Sequence, residues 1–238
     1  MRGELQVYPD LAALARAAAT LFVDTAQSAI NLNRRFSVAL SSGETPRPLY
    51  RLLATPEFSG RVDWAHVHLF WGDERCVLPD HAESNYHAAW ETFIDHVPIS
   101  MDNIHWILGE HDPIIAAETY EQELKDHFKS AFPRFDLILL GLGEDGHTAS
   151  IFPGSTVAEE SKRLVAAVQH PKTNQWRVTL TLPAINSAAN VAFLVSGPAK
   201  ANALRIARSG LTAPAEFPAS AVDPTDGRLL WLTDQSTG

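Results

Sequence analysis

Four short, nearly unbroken apolar runs punctuate this chain, at residues 36–40, 67–71, 137–140 and 191–195. Side chains of a strand alternate between its two faces, so a run with no polar alternation fits a strand covered on both sides. Between the runs, apolar residues recur at steps of three and four. Leu11, Leu14, Ala18, Leu21 and Phe22 do so after Asp10, and Ile114, Ala117, Tyr120, Leu124 and Phe128 after Asp112-Pro113. That spacing predicts amphipathic helices opened by aspartate caps. A shorter helix is expected after Pro46, another over 84–96 and a last one reaching about residue 208. Apolar strands alternating with such helices predict the α/β class, with a mostly parallel sheet covered on both faces. Segments 164–168, 178–182 and 229–232 are expected to fill out this sheet, and the Pro- and Ala-rich stretch 212–224 reads as an extended surface loop.

The 238 residues are 45% hydrophobic and 20% charged, the balance of an ordinary globular chain large enough for one core. Nineteen basic against 28 acidic residues leave a formal charge of −9, which argues against broad nucleic-acid binding. It leaves room for a small anion, because a few converging cations in a cleft outweigh a distant, salt-screened surface field. No run of 18 apolar residues occurs and the first residues lack the pattern of a secretory signal, so a cytoplasmic protein without a membrane segment is expected. A single cysteine, Cys76, excludes an intrachain disulfide and a cysteine-rich zinc site, in keeping with a reducing compartment.

Each apolar run ends in a turn: Ser41-Ser42-Gly43-Glu44-Thr45-Pro46, Gly72-Asp73-Glu74-Arg75, Gly141 to His147, and Ser196-Gly197-Pro198-Ala199-Lys200. In open parallel sheets the ligand crevice lies beyond the carboxyl ends of the strands, where helix N-termini offer free N–H groups. Thr45, Asp73, Arg75, Asp145, His147 and Lys200 should therefore meet around one site. Thr45 is expected to cap a helix whose first residue is Pro46.

Gly141-Leu142-Gly143-Glu144-Asp145-Gly146 satisfies G-x-G-x-x-G, yet its two carboxylates stand where a pyrophosphate would need bare backbone, and Pro153-Gly154 follows within two helical turns. The pattern does not read as a dinucleotide site. Asp145-Gly146-His147 has two readings: a histidine base oriented by a nearby carboxylate, or a helix cap beside a packed histidine. Arg75, Arg177 and Lys200 are candidate anion ligands, with a local ion pair the competing role for Arg75. His66 and His68 share a strand face, which invites a metal reading, but without a third ligand they read as half-buried strand residues. Cys76 has no thiol-protease signature around it and reads as structural, and no G-x-S-x-G elbow supplies a serine nucleophile.

Taken together, FDLILLGLGEDGHTASIFPGS at 135–155, WGDERCV at 71–77, ESNY at 83–86 and RVTLTLPAINSAANVAFLVSGPAKANAL at 177–204 resemble the 6-phosphogluconolactonase family, related to the glucosamine-6-phosphate isomerases. The resemblance runs through most of the chain in order, ending with FPAS at 217 and LLWLTD at 229. It implies one three-layer α/β/α domain over 1–238 with a Rossmann-like sheet. It also implies hydrolysis of 6-phospho-D-glucono-1,5-lactone to 6-phospho-D-gluconate, no cofactor or metal, and a monomer or small homo-oligomer. His147 takes the catalytic position and Asp145 that of its neighbouring acid. The implied substrate contacts are Ser42, Gly43 and Thr45 in the phosphate turn, with Asp73, Arg75, Asn85, Gly143, Arg177 and Lys200. In the expected reaction His147 draws a proton from water, and backbone N–H groups near 143–146 receive the oxyanion.

Two departures from the family pattern bear on the phosphate turn. Ser42 replaces one of two glycines, and Glu44 stands where a small or basic residue is common, so Glu44 should point outward or pair with Arg47. The isomerases are the nearest rival. They carry Asn-Glu just before the Pro-Gly, where this chain has Ile151-Phe152, and a tyrosine in place of Arg75; Phe152 cannot move a proton. A sugar-phosphate-binding regulator that keeps the pocket without turnover is the non-enzymatic alternative.

Overall fold

The computed structural model describes residues 1–237. The chain opens with strand β1 (Glu4–Tyr8) and helix α1 (Leu11–Asn33). Asp10 caps α1 by accepting a hydrogen bond from the Ala13 N–H at 2.8 Å. The buried stripe of α1 is rich in alanine (Ala15, Ala18, Ala19, Ala26 and Ala29 beside Leu14, Phe22 and Val23), which lets the helix lie close against its neighbours. Strand β2 (Phe36–Leu40) follows, then α2 (Arg47–Leu53), α3 (Pro56–Ser59), β3 (Val67–Trp71), β4 (Asp73–Arg75) and α4 (Asn85–Thr92). The two-residue β5 (Ile104–His105) leads to α5 (Pro113–Phe128), capped by Asp112, and to β6 (Leu137–Leu140). The remainder comprises β7 (Val165–Gln169), β8 (Trp176–Leu180), α6 (Leu182–Asn186), β9 (Asn190–Val195), α7 (Ala201–Ser209) and β10 (Arg228–Asp234).

Seven strands form one parallel sheet in the order β1-β10-β9-β6-β2-β3-β5. Every residue of β2 and of β6 is buried, so both faces of the sheet centre are covered, as the missing polar alternation predicts. From β2 the chain builds outward through β3 and β5 on one side and through β6, β9 and β10 on the other. The change of direction falls between β2 and β6, and a crevice opens at such a switch point beyond the carboxyl ends.

Several expectations need correction. Segments 164–168 and 178–182 do not extend the main sheet; β8 pairs antiparallel with both β4 and β7 in a separate three-stranded sheet of order β4-β8-β7. Their apolar content reflects packing against α5 and the site turns, a burial that looks the same in sequence as membership of a central sheet. Thr45 makes no cap bond, because Glu44 to Pro46 form a turn and α2 starts only at Arg47. His66 lies before β3 in a short 3-10 turn and binds Asp63, so it does not share a strand face with His68. Stretch 212–224 is not a plain surface loop: Phe217, Pro218, Ala219 and Ser220 are buried and the Ala219 N–H donates to the Gly146 carbonyl at 2.9 Å.

Candidate active site

Beyond the carboxyl ends of β2, β3, β6 and β9 lies a cavity of about 280 Å³. Ser42, Gly43 and Thr45 line it from the first turn, Asp73 and Arg75 from the second, Gly143 and His147 from the third, and Lys200 from the fourth. Asp145, Asn85 and Arg177 do not line it; they stand next to lining residues, Asp145 at His147, Asn85 at Asp73 and Arg177 opposite Arg75. The four strand-to-turn junctions therefore converge, as the sheet geometry requires.

The turn after β6 is built for close approach. The Gly143 N–H donates to the His147 carbonyl at 2.8 Å, and the Gly146 N–H to the Gly143 carbonyl at 3.1 Å. A Cβ on Gly143 would lie 2.1 Å from His147 Nδ1 and 2.5 Å from Asp145 Oδ1, so a side chain there is incompatible with the pair. Gly146 has φ +88°, and a Cβ would strike the Phe217 ring at 2.4 Å. Phe217 is thus a buttress beneath the turn.

Asp145 Oδ1 contacts His147 Nδ1 at 2.6 Å and accepts the His147 backbone N–H at 3.1 Å. Burial pushes the Asp145 carboxyl up, but the two bonds from His147 and its charge outweigh this and hold the group below its ordinary value. An ionised carboxylate can only accept, so Nδ1–H is the donor of this pair and Nε2 is the ring nitrogen left to exchange a proton. Phe152, 3% exposed, packs its ring 5.3 Å from the imidazole. Of the expected oxyanion donors, the N–H groups of Gly143 and Gly146 are engaged inside the turn, which leaves those of Glu144 and Asp145 for that role.

Arg75 and Arg177 face each other directly across the β4–β8 ladder. Like charges so placed repel, and among the described residues neither guanidinium has a carboxylate within ion-pair distance. Arg75 donates to the Glu83 carbonyl and Arg177 to Gln175 Oε1, while the Nε of each is buried without a partner. Burial, then the Arg75 charge, lower the Arg177 pKa from its ordinary value. The pair is two cations short of an anion. Lys200 supplies a third charge just before α7, whose first N–H groups have no side-chain cap, and stands 4.0 Å from Glu144.

The competing local ion pair for Arg75 does not form, because Glu74 is occupied elsewhere. This carboxylate is 3% exposed and accepts from the backbone N–H groups of Arg75, Asn85 and Tyr86 and from the Ser84 hydroxyl, at 2.7, 2.7, 2.8 and 3.0 Å. It caps α4, its charge facing the positive end of that helix. Burial outweighs the three backbone bonds and, with the Asp73 charge, raises its pKa. Asn85 is 4% exposed and donates to the Asp73 carbonyl at 2.8 Å, so it positions Asp73 from behind the cavity wall. Asp73 Oδ2 in turn accepts from Ser150 at 2.6 Å, tying the second turn to the third.

In the first turn Gly43 adopts φ +96° and exposed Glu44 pairs with Arg47 at 3.4 Å, one of the two arrangements expected. Tyr50 donates to the Ser41 carbonyl at 2.6 Å and fixes the turn. Ser41 lines the cavity, and its buried Oγ lacks a partner among the described residues. Sequence reasoning passed over Ser41, Ser150, Glu74 and Phe217. Only Ser41 carried a signal, as the first polar residue after β2.

The fold and the four turns place one cavity, lined by His147, Arg75 and Lys200, at the carboxyl edge of an α/β sheet. A family model described as glucosamine-6-phosphate isomerases/6-phosphogluconolactonase matches residues 9–231, and the chain belongs to that family. It is 38% identical to a 6-phosphogluconolactonase of a Nostoc species over 100% of this chain and 98% of the relative. A Synechocystis 6-phosphogluconolactonase is 43% identical over 85% and 83%. The solved structure of 6-phosphogluconolactonase from Trypanosoma brucei superposes with a TM-score of 0.86 at 26% identity, covering 99% of this chain and 97% of that one.

Proposed function

We propose that this chain is a carboxylic ester hydrolase that opens 6-phospho-D-glucono-1,5-lactone to 6-phospho-D-gluconate in the oxidative pentose phosphate pathway. The observation that carries the reading is the Asp145-anchored imidazole of His147 sharing one cavity with Arg75 and Lys200. The phosphate is gripped by Arg75 and Lys200, with Arg177 behind them, the Ser41 hydroxyl and the Ser42–Thr45 turn at its edge, and the α7 N-terminus alongside. Held by this remote group, the lactone carbonyl faces His147.

His147 Nε2 takes a proton from water as the water oxygen bonds to the lactone carbon. Asp145 holds the ring and balances the imidazolium charge. Collapse of the tetrahedral intermediate breaks the bond from carbon to ring oxygen, and His147 returns its proton to that oxygen. The product acid then ionises. Phe152 leaves the cavity without the second proton-moving acid that the isomerase chemistry would need at that place.

The whole chain, 1–238, works as one domain in this reading, since all four contributing turns rise from a single sheet. Among the described residues no helix is long and apolar enough to cross a membrane. The pathway assigned here would put the work in the cytoplasm, where the Cys76 thiol, pushed up to about 11 by burial and then by the charge of Glu74, would remain an inert packing group. The test is acid release from freshly generated phosphorylated lactone against unphosphorylated gluconolactone. At least about 100-fold preference in kcat/KM for the phosphorylated ester is expected, the worth of one or two charge-assisted hydrogen bonds. Equal rates would refute the phosphate grip, and release no faster than the spontaneous reaction would refute turnover.

A further inference from the structure

His68 on β3, His105 on β5 and His127 near the end of α5 come together with no part in the cavity. One ring nitrogen from each lies within 4.8 Å of the other two. His68 Nδ1 and His105 Nε2 stand 3.1 Å apart in a hydrogen bond whose proton a metal ion would displace. Two nitrogens about 2.05 Å from a tetrahedral ion stand about 3.3 Å apart, so the first two rings are already at ligand spacing and the third needs an approach of roughly 1.5 Å.

The outer contacts match those that orient metal-binding imidazoles. His105 Nδ1 meets Glu123 Oε1 at 2.7 Å, which directs Nε2 of that ring toward His68. The Ser37 hydroxyl meets His127 Nε2 at 2.8 Å. Phe70 stacks on His105 at 4.3 Å and 8°, closing one side, while all three histidines remain half-buried and reachable. Of the neighbouring charges, Glu123 favours a cation and Arg35, which donates to the His127 carbonyl, opposes one.

We propose that His68, His105 and His127 form a binding site for one divalent transition-metal ion of the zinc class, remote from the catalytic cavity. Imidazole suits zinc, copper, nickel and cobalt, and three such ligands leave a position for water. The bound ion fastens β5, which has only two register pairs with β3, to α5. His66, exposed and paired with Asp63, takes no part.

The test uses the full chain, freed of metal with a chelator and titrated with zinc chloride by calorimetry, and separately with cobalt(II) by visible absorption. One ion per chain and the d–d bands of nitrogen-ligated cobalt are expected, together with zinc-induced shifts of the three imidazole nitrogens in the NMR spectrum. His68→Gln and His127→Gln, each verified as folded by circular dichroism, should weaken zinc by about tenfold or more. Glu123→Gln keeps all three ligands and should weaken it by about 10–100-fold. His147→Ala should bind zinc as the unmodified protein does, separating this site from the catalytic imidazole. Absence of zinc uptake, unshifted nitrogens in these rings, or undiminished affinity in folded His68→Gln and His127→Gln would each overturn the proposal. The wild-type spectra decide the matter even where a variant does not fold.

Discussion

Two histidine sites border the same sheet and share one device, an imidazole held by a carboxylate, yet they are built for different work. At the carboxyl end, Asp145 holds Nδ1 of His147 and the rest of the ring borders an open cavity with cations nearby. Across the sheet at β3 and β5, Glu123 holds Nδ1 of His105, whose other nitrogen meets another imidazole at 3.1 Å. A single free lone pair beside space for water and substrate suits proton transfer. Imidazole nitrogens already at ligand spacing suit a shared cation, which would displace the proton between the first two. What faces the second nitrogen, more than the carboxylate on the first, separates a base from a ligand.

The comparison breaks most visibly if His147 is expendable. His147→Ala should lower kcat by about 10² to 10⁴, the usual worth of positioned base catalysis, with little change in KM. Steady-state acid release checks this, and near-normal turnover would make His147 no more catalytic than His105. Arg75→Ala should raise KM by roughly 10–100-fold at nearly constant kcat, because one charged hydrogen-bond partner of the phosphate is lost. An unchanged KM would remove the cation grip from the contrast. Gly143→Ala sharpens the geometric point: the new methyl must displace the His147–Asp145 pair, at a cost of about 1–3 kcal/mol in stability and with a fall in kcat that denaturant melts and kinetics would separate.

The smallest expected effect concerns the support of the Lys200 turn. Asp234 accepts from Ser196, Ser236, Thr237 and the Gly197 N–H; against the opposing push of burial these bonds hold its carboxyl at about 2. A lowered carboxylate contributes stability in full above its unfolded value near 4 and loses it as pH falls toward 2. Asp234→Asn should remove at most about 2 kcal/mol at neutral pH and flatten the acid limb of stability against pH between 4 and 2. An unaltered acid limb would contradict this assignment.

The parallel centre of the sheet was legible because β2, β3, β6 and β9 are nearly free of polar alternation and each ends in a Gly- or Ser-containing turn. The site followed from those turns, since a parallel sheet has only one carboxyl edge. What stayed hidden depends on contacts distant in sequence. β7 and β8 look like central strands but belong to the small sheet in which β8 pairs with β4, and exposed β1 alternates too weakly to stand out. Glu74 could not be separated from a partner of Arg75 until α4 placed its N–H groups around the carboxylate. His68 seemed to lack ligand partners because His105 and His127 lie 37 and 59 positions onward on other elements. Phe217 belongs to a stretch whose prolines and alanines suggest a loop, and only the space beneath Gly146 explains its burial.

A crystal structure of the protein with 6-phospho-D-gluconate would test the central claim most directly. The account predicts the phosphate between Arg75 and Lys200 and the carboxylate carbon end of the sugar acid within about 3 Å of His147 Nε2, the reach of a proton transfer. A phosphate bound away from both cations, or a carboxylate turned from His147, would contradict it.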